Sequence, residues 1–192
     1  FDQNEEALIF YEKSINSFLD PSFRLVQLAG NAFERSKQKE KARKIYLKFS
    51  NAALDDLLIQ KELKRVETSN IPNKVIKNLP DAISELLTNL ASTFRSDFTN
   101  NYSIIYTYLS LYLKNDSSVS QMYLAELLEN EGKYKKANDL YKKISKGSRF
   151  DWHARLREAR NLEIIGEHKK SVDQLERMSK EKPNRYDSLQ LL

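Results

Sequence analysis

Cysteine is missing altogether from this 192-residue chain; glycine and proline occur four times each, histidine twice and tryptophan once. The first absence excludes disulfides, thiolate zinc sites and cysteine nucleophiles. So few turn-formers argue against an all-β architecture, which needs a turn signal roughly every dozen residues. Four scattered glycines cannot build a phosphate-cradling loop, and two histidines do not support a His-rich metal site. No run approaches the roughly 18 consecutive apolar residues that cross a bilayer, so no membrane span is expected. Against these absences stand 40% hydrophobic and 31% charged residues, with a formal net charge of +5. That balance describes a soluble, all-α chain with no catalytic group, metal or cofactor in view.

Gly132 and Gly166 are 34 residues apart, and a slide by that period superimposes Ala125 on Ala159, Leu128 on Leu162, Ala137 on Ser171, Tyr141 on Leu175 and Ile144 on Met178. Small residues fall on small ones and large apolar residues on large, the signature of a repeated helical hairpin. The two copies read YLAELLENEGKYKKANDLYKKI and REARNLEIIGEHKKSVDQLERM. Small residues at Ala125 and Ala137 let two helices cross closely while the large ones fill the gap. A glycine just past the first helix enters the left-handed cap conformation without a Cβ penalty. One period earlier, Leu90, Ala91 and Phe94 fall in a first helix, with Ser103 and Ser110 in a second. Near the start, LAGNAFERSKQKEKARKIYLKF supplies Gly30, Phe33, Ala42, Tyr46 and Phe49. Ahead of it, ALIFYEKS matches a second helix alone through Ala7, Tyr11 and Ser14.

These copies resemble the tetratricopeptide repeat (TPR), and their wording is similar to that of bacterial members. The departures are His168 at the usual turn tyrosine and no Trp or Leu opening the first helix. The resemblance implies a right-handed α-solenoid of about five antiparallel helix pairs, each burying its apolar stripe against the next. It covers most of the chain and is strongest over 118–183, where Pro183 closes the last full copy. Residues 1–53 then hold the first repeats and 81–192 the remaining ones, with the first and last copies partial. Between them, Gly30 to Ala91 spans 61 residues, 27 more than one repeat. The excess, 54–80, reads as a charged helix near Leu57–Val66 followed by SNIPNKVIKNLP, an irregular connection because the residue before a proline is pushed out of the helical region. It is either a degenerate repeat or a hinge or partner-binding loop. Asp20-Pro21, Ser148 with Asp151, Asp116 and Asn184 are the expected helix-starting caps.

The chain opens in a second helix and closes with NRYDSLQLL, the first turns of a first helix. Solenoids normally end in polar-faced capping repeats, so a fragment of a longer repeat protein is expected. Open ends of this kind expose apolar stripes and offer self-association. Lack of cysteine suits a bacterial cytoplasm or periplasm equally.

Glu126, Glu129 and Glu131 read as a solvated face without a convergent partner, and His153 and His168 as surface or packing residues. From Glu34 to Phe49 seven Lys/Arg face two Glu, and from Lys133 to Arg149 seven face one Asp. With a pI near 9.2, the basic runs 35–48 and 133–149 raise nucleic-acid or acidic-surface binding as an alternative; they also read as the solvated side of a solenoid. Nine of the twelve residues from Tyr102 to Leu113 are apolar or aromatic, which reads as a helix buried on every side or as one that leaves one or two Tyr hydroxyls lining a groove.

In the TPR family the inner surface is lined by first-helix residues flanking the small position. The resemblance places there Gln27 and Asn31, Asn89 and Ser92, then Tyr123, Glu126 and Asn130, followed by Arg157, Arg160 and Ile164. Some members clamp a peptide carboxylate with Lys, Asn and Arg. This sequence matches that set in part, through Asn31, Asn89 and Arg157, while Gln27, Arg24 and Thr88 hold the Lys positions, so the resemblance implies a mixed polar groove with an Arg157–Arg160 patch for an acidic or extended segment in place of a full clamp. The function implied is a non-catalytic scaffold that binds a peptide or protein segment on the concave first-helix face. The other alternative is a regulatory segment of a larger enzyme.

Overall fold

The computed structural model describes residues 3–17, 21–52, 57–68, 70–94, 100–188 and 190, and among them it has ten α-helices and no strand. The all-helical expectation therefore holds for the described residues. The chain divides into two compact units, Phe1–Lys77 and Asn78–Leu192.

The N-terminal unit contains α1 (Gln3–Ser17), α2 (Phe23–Arg35), α3 (Lys39–Ala52) and α4 (Leu57–Val66), each packed on the next. Val26, Ala29 and Phe33 of α2 meet Ala42, Tyr46 and Phe49 of α3, with Leu8 and Ile15 of α1 on one side and Ile59 and Val66 of α4 on the other. Gly30 is obligatory at the α2–α3 crossing: a Cβ there would lie 2.3 Å from the buried Tyr46 ring. That ring cannot swing away, because its hydroxyl donates to the buried Glu34 carboxylate at 2.8 Å. Arg65 of α4 donates to the same carboxylate through Nη2 (2.5 Å) and Nε (3.3 Å), and also pairs with Glu62. One buried carboxylate thus ties three helices together. Burial and the bond to Glu34 push the Tyr46 phenol well above its ordinary range.

The C-terminal unit contains α5 (Leu79–Ala91), α6 (Asn100–Leu113), α7 (Ser118–Asn130), α8 (Tyr134–Tyr141), α9 (Asp151–Ile164) and α10 (His168–Glu181). Each helix packs on a neighbour in the order α5–α6–α7–α8–α9–α10, and α5 also touches α7. Buried small residues recur across the crossings: Gly30 with Ala42, Ala91 with Ser103, Ala125 with Ala137, Ala159 with Ser171. In two of these the serine hydroxyl bonds the alanine carbonyl opposite, Ser103 to Ala91 at 2.9 Å and Ser171 to Ala159 at 2.8 Å. A small residue on each helix lets the backbones come close enough for that bond.

The turns repeat as well. Gly132 (φ 70°) and Gly166 (φ 79°) are left-handed, as the C-cap reading requires. The next residue's N–H then reaches back to the helix, Lys133 to Leu128 O and Glu167 to Leu162 O, both at 2.8 Å. Between α2 and α3 the same bond runs from Gln38 to Phe33 O at 2.9 Å, but the left-handed residue is Lys37, at φ 61°. A lysine pays roughly 1–2 kcal/mol there that glycine does not, and glycine returns about 0.5–1 kcal/mol of that in backbone entropy. Lys37→Gly is therefore expected to stabilise the N-terminal unit by about 0.5–1 kcal/mol, read as a raised urea midpoint by circular dichroism. A lowered midpoint would contradict the equivalence of the three turns.

Several caps differ from expectation. Asp20 lies outside the described residues; α2 begins after Ser22, whose hydroxyl accepts from Leu25 N–H, and Pro21 precedes the cap. Ser117, not Asp116, caps α7 by accepting from Ser120 N–H. Ser148 and Asp151 form no capping box. Asp151 is itself the first residue of α9, and its carboxylate turns back to accept from Gly147 N–H at 2.8 Å. Among the described residues after Asn184, Tyr186–Ser188 and Gln190 form turns where a helix was expected, and Asp187 is held by Trp152 Nε1 and Arg185 Nη2, each at 2.9 Å. The charged helix Leu57–Val66 is present as α4, and Asn70–Lys77 are irregular.

Candidate functional site

Helix α6 is not buried on every side. Its inward residues are Ser103, Thr107 and Ser110, spaced four and three apart, and all are fully buried. Its exposed large apolar and aromatic residues are Tyr102, Ile105, Tyr108, Leu109 and Tyr112, the last 87% exposed. Helix α5 is arranged alike, with Ser84, Thr88 and Ala91 inside and Leu79, Ile83, Leu86 and Leu90 outside. Both helices therefore bury small polar residues and present apolar ones to solvent, the reverse of an ordinary surface helix.

The inward hydroxyls satisfy one another. Ser110 Oγ lies 2.8 Å from Ser84 Oγ, 2.8 Å from Thr88 Oγ1 and 2.9 Å from Ser120 Oγ of α7. Ser110 Oγ also donates to Ser84 O at 2.8 Å, and Thr88 Oγ1 to Ser84 O at 3.1 Å. Small side chains allow the close approach of α5, α6 and α7, and the shared hydrogen bonds remove the cost of burying their oxygens.

The outward face of α6 lines an open cleft of about 640 Å³. Ile105, Tyr108, Leu109 and Tyr112 form one side, and Leu140 and Lys143, in and just after α8, the other. The cleft lies along α6 and α8, the second helices of their pairs, whereas the TPR resemblance points to the first helices.

The residues expected on that inner surface divide between the two units. In the N-terminal unit, Gln27 accepts from Arg24 Nη1 at 2.7 Å. Asn31 is buried and its amide donates to Asn73 O at 2.9 Å. In the C-terminal unit, Asn89, Asn130, Arg160 and Ile164 are exposed, and Ser92 is the C-cap of α5. Tyr123 donates its hydroxyl to Ala91 O at 3.2 Å. Arg157 pairs with Glu129 at 2.5 Å, so it is tied to α7 rather than forming a patch with Arg160.

Glu129 is not on a solvated face: its side chain is 9% exposed and also accepts from Asn161 Nδ2 at 2.6 Å. Asn161 in turn donates to Asn138 Oδ1 at 2.9 Å, so Glu129, Arg157, Asn161 and Asn138 join α7, α8 and α9 in one polar network. Burial raises the Glu126 carboxyl above its usual range, partly opposed by Arg157 and His153. Burial also raises the Tyr141 phenol, which sits beside Arg157 and Glu129. A carboxylate bonded at both oxygens inside a helix stack is a structural tie. No group of three or more potential metal ligands occurs among the described residues, and no described helix is long and apolar enough to cross a membrane.

No protein-family model matches the sequence, and no curated protein matches it.

Proposed function

We propose that this chain is a non-catalytic, TPR-like α-solenoid scaffold that binds a segment of another protein. The observation that carries this reading is the apolar cleft along α6, walled by four large side chains that the fold leaves in solvent. Apolar patches of this kind mark interaction surfaces. Side chains at the spacing of Ile105, Leu109 and Tyr112 suit the apolar face of a helix laid along them. The far wall carries Lys143, and Lys136 and Lys146 are also exposed on or just after α8, with Asp139 the single carboxylate between Lys133 and Arg149. The occupant that fits is an amphipathic helix with an apolar stripe and an acidic flank. The exposed first-helix residues Asn89, Asn130 and Arg160 offer it a second, polar surface.

Nucleic-acid binding has weaker support, because cations in both basic runs are engaged by carboxylates: Lys41 by Glu12, Lys133 by Glu131 and Lys142 by Glu158. A regulatory role within a larger enzyme would use the same cleft.

Helical peptides selected for binding to the wild-type protein are expected to carry acidic residues beside an apolar stripe. Tyr108→Asp with Tyr112→Asp should weaken them at least tenfold while the melting temperature stays within a few degrees, since both side chains are largely in solvent. Undiminished affinity in that variant would sink the cleft as the binding surface.

A further inference from the structure

A second candidate surface lies in the N-terminal unit, and it is already occupied. Asn31 and Arg35 stand one turn apart on α2, and Lys39, four residues further on, opens α3. All three side chains point their donors at backbone carbonyls of one stretch of chain. Asn31 Nδ2 donates to Asn73 O at 2.9 Å, Arg35 Nη1 to Pro72 O at 2.7 Å and Lys39 Nζ to Thr68 O at 2.5 Å. Pro72 is buried, while Asn70, Ile71 and Asn73 on either side are exposed. Asn70–Asn73 lie in no helix or strand themselves, and α2 holds them through two main-chain carbonyls and one buried proline, while Thr68 stays bonded to Arg65 O at the end of α4.

We infer that this ladder of donors is a binding site for an extended, proline-containing peptide, and that Thr68 and residues 70–73 fill it as a built-in ligand. Three donors aimed at carbonyls read the shape of a backbone and the position of a proline, which has no N–H to satisfy. They do not read side-chain charge. Any segment presenting an X-Pro-X backbone at this spacing makes the same bonds, and proline favours the extended conformation that presents them. A tethered ligand enjoys an effective concentration in the millimolar range, so a free peptide competes poorly until the tether is weakened. The site is thus closed in the resting chain and opened by a partner that binds the ladder more tightly.

The test uses a labelled peptide of residues 67–76 added to the full chain. Wild type is expected to bind it weakly, and Pro72→Gly, which frees the tethered copy, to bind it at least tenfold more tightly. Adding Asn31→Ala and Arg35→Ala to Pro72→Gly should abolish that gain. A gain that survives the ladder substitutions, or no gain in a folded Pro72→Gly chain, would overturn the inference. Should Pro72→Gly fail to fold, hydrogen exchange on wild type decides instead. Saturating peptide should then speed exchange at the amides of Asn70, Ile71 and Asn73, and unchanged rates at saturation would equally overturn it. The outcome is independent of the α6 cleft, which none of these residues touches.

Discussion

Glu34→Ala is expected to cost the N-terminal unit about 3–5 kcal/mol, the range for breaking a buried ion pair by removing one partner. Glu34 is only 3% exposed and accepts from Tyr46 Oη, Arg65 Nη2 and Arg65 Nε. Alanine removes all three acceptor contacts at once. It leaves the Tyr46 hydroxyl proton without an acceptor, its oxygen keeping the bond from Arg65 Nη2 at 3.3 Å, and leaves a guanidinium facing the core with Glu62 as its remaining carboxylate. Because small folded units hold only about 5–15 kcal/mol in total, this loss brings the four-helix unit close to its unfolding midpoint. Urea unfolding followed by circular dichroism measures it. Trp152, the single tryptophan, lies in α9 and reports the C-terminal unit separately. Glu34→Gln keeps an acceptor for Tyr46 and should fall between. Replacing the trio together, Glu34→Leu with Tyr46→Phe and Arg65→Met, should recover much of the loss, because an apolar set leaves nothing unpaired. A single Glu34→Ala variant within about 1 kcal/mol of wild type would show that the three-helix tie is not what holds α4.

The helical class and the positions of the close crossings were legible because they depend on residue size at fixed spacing. Ala125 with Ala137 and Ala159 with Ser171 are visible as small residues without any knowledge of neighbours. Gly132 and Gly166 were legible because a left-handed turn selects glycine. Lys37 was not, since tertiary packing of α2 on α3 holds a lysine in the same conformation. Donors that bond main-chain carbonyls were equally hidden. The acceptors at Thr68, Pro72 and Asn73 belong to the backbone and leave no mark on side-chain pattern, so Asn31 read as a groove residue. Glu129 looked solvated because its partners Arg157 and Asn161 lie about one repeat away in sequence. Those partners occupy the next first helix, where no local window finds them.

Helix α6 misled for a different reason, and its correction carries the second large prediction. Its composition is so apolar that counting residues suggests burial all round. A signal was nonetheless present: Ser103, Thr107 and Ser110 recur at helical spacing, as do Ser84, Thr88 and Ala91 on α5. On an ordinary amphipathic helix serine faces water and tolerates a change to Leu, whereas an inward apolar-to-Ser change is costly. Here the signs are inverted. Ser110→Leu is expected to destabilise the C-terminal unit by about 2–6 kcal/mol, combining about 1–3 for overpacking with about 1–3 for hydroxyls left without a partner. Ser110→Ala carries only the second contribution and should cost about 1–3 kcal/mol. Converting Ser84, Thr88, Ser110 and Ser120 together to Ala, Val, Ala and Ala should cost less than the sum of the single changes, because no oxygen then remains to be satisfied. Tyr112→Ser, on the outer face, should stay within about 0.5 kcal/mol of wild type. Urea midpoints for these variants decide which side of α6 is inside. If Ser110→Leu stabilises and Tyr112→Ser costs more than about 2 kcal/mol, the helix is turned over, its aromatic stripe is core, and the cleft along it does not exist.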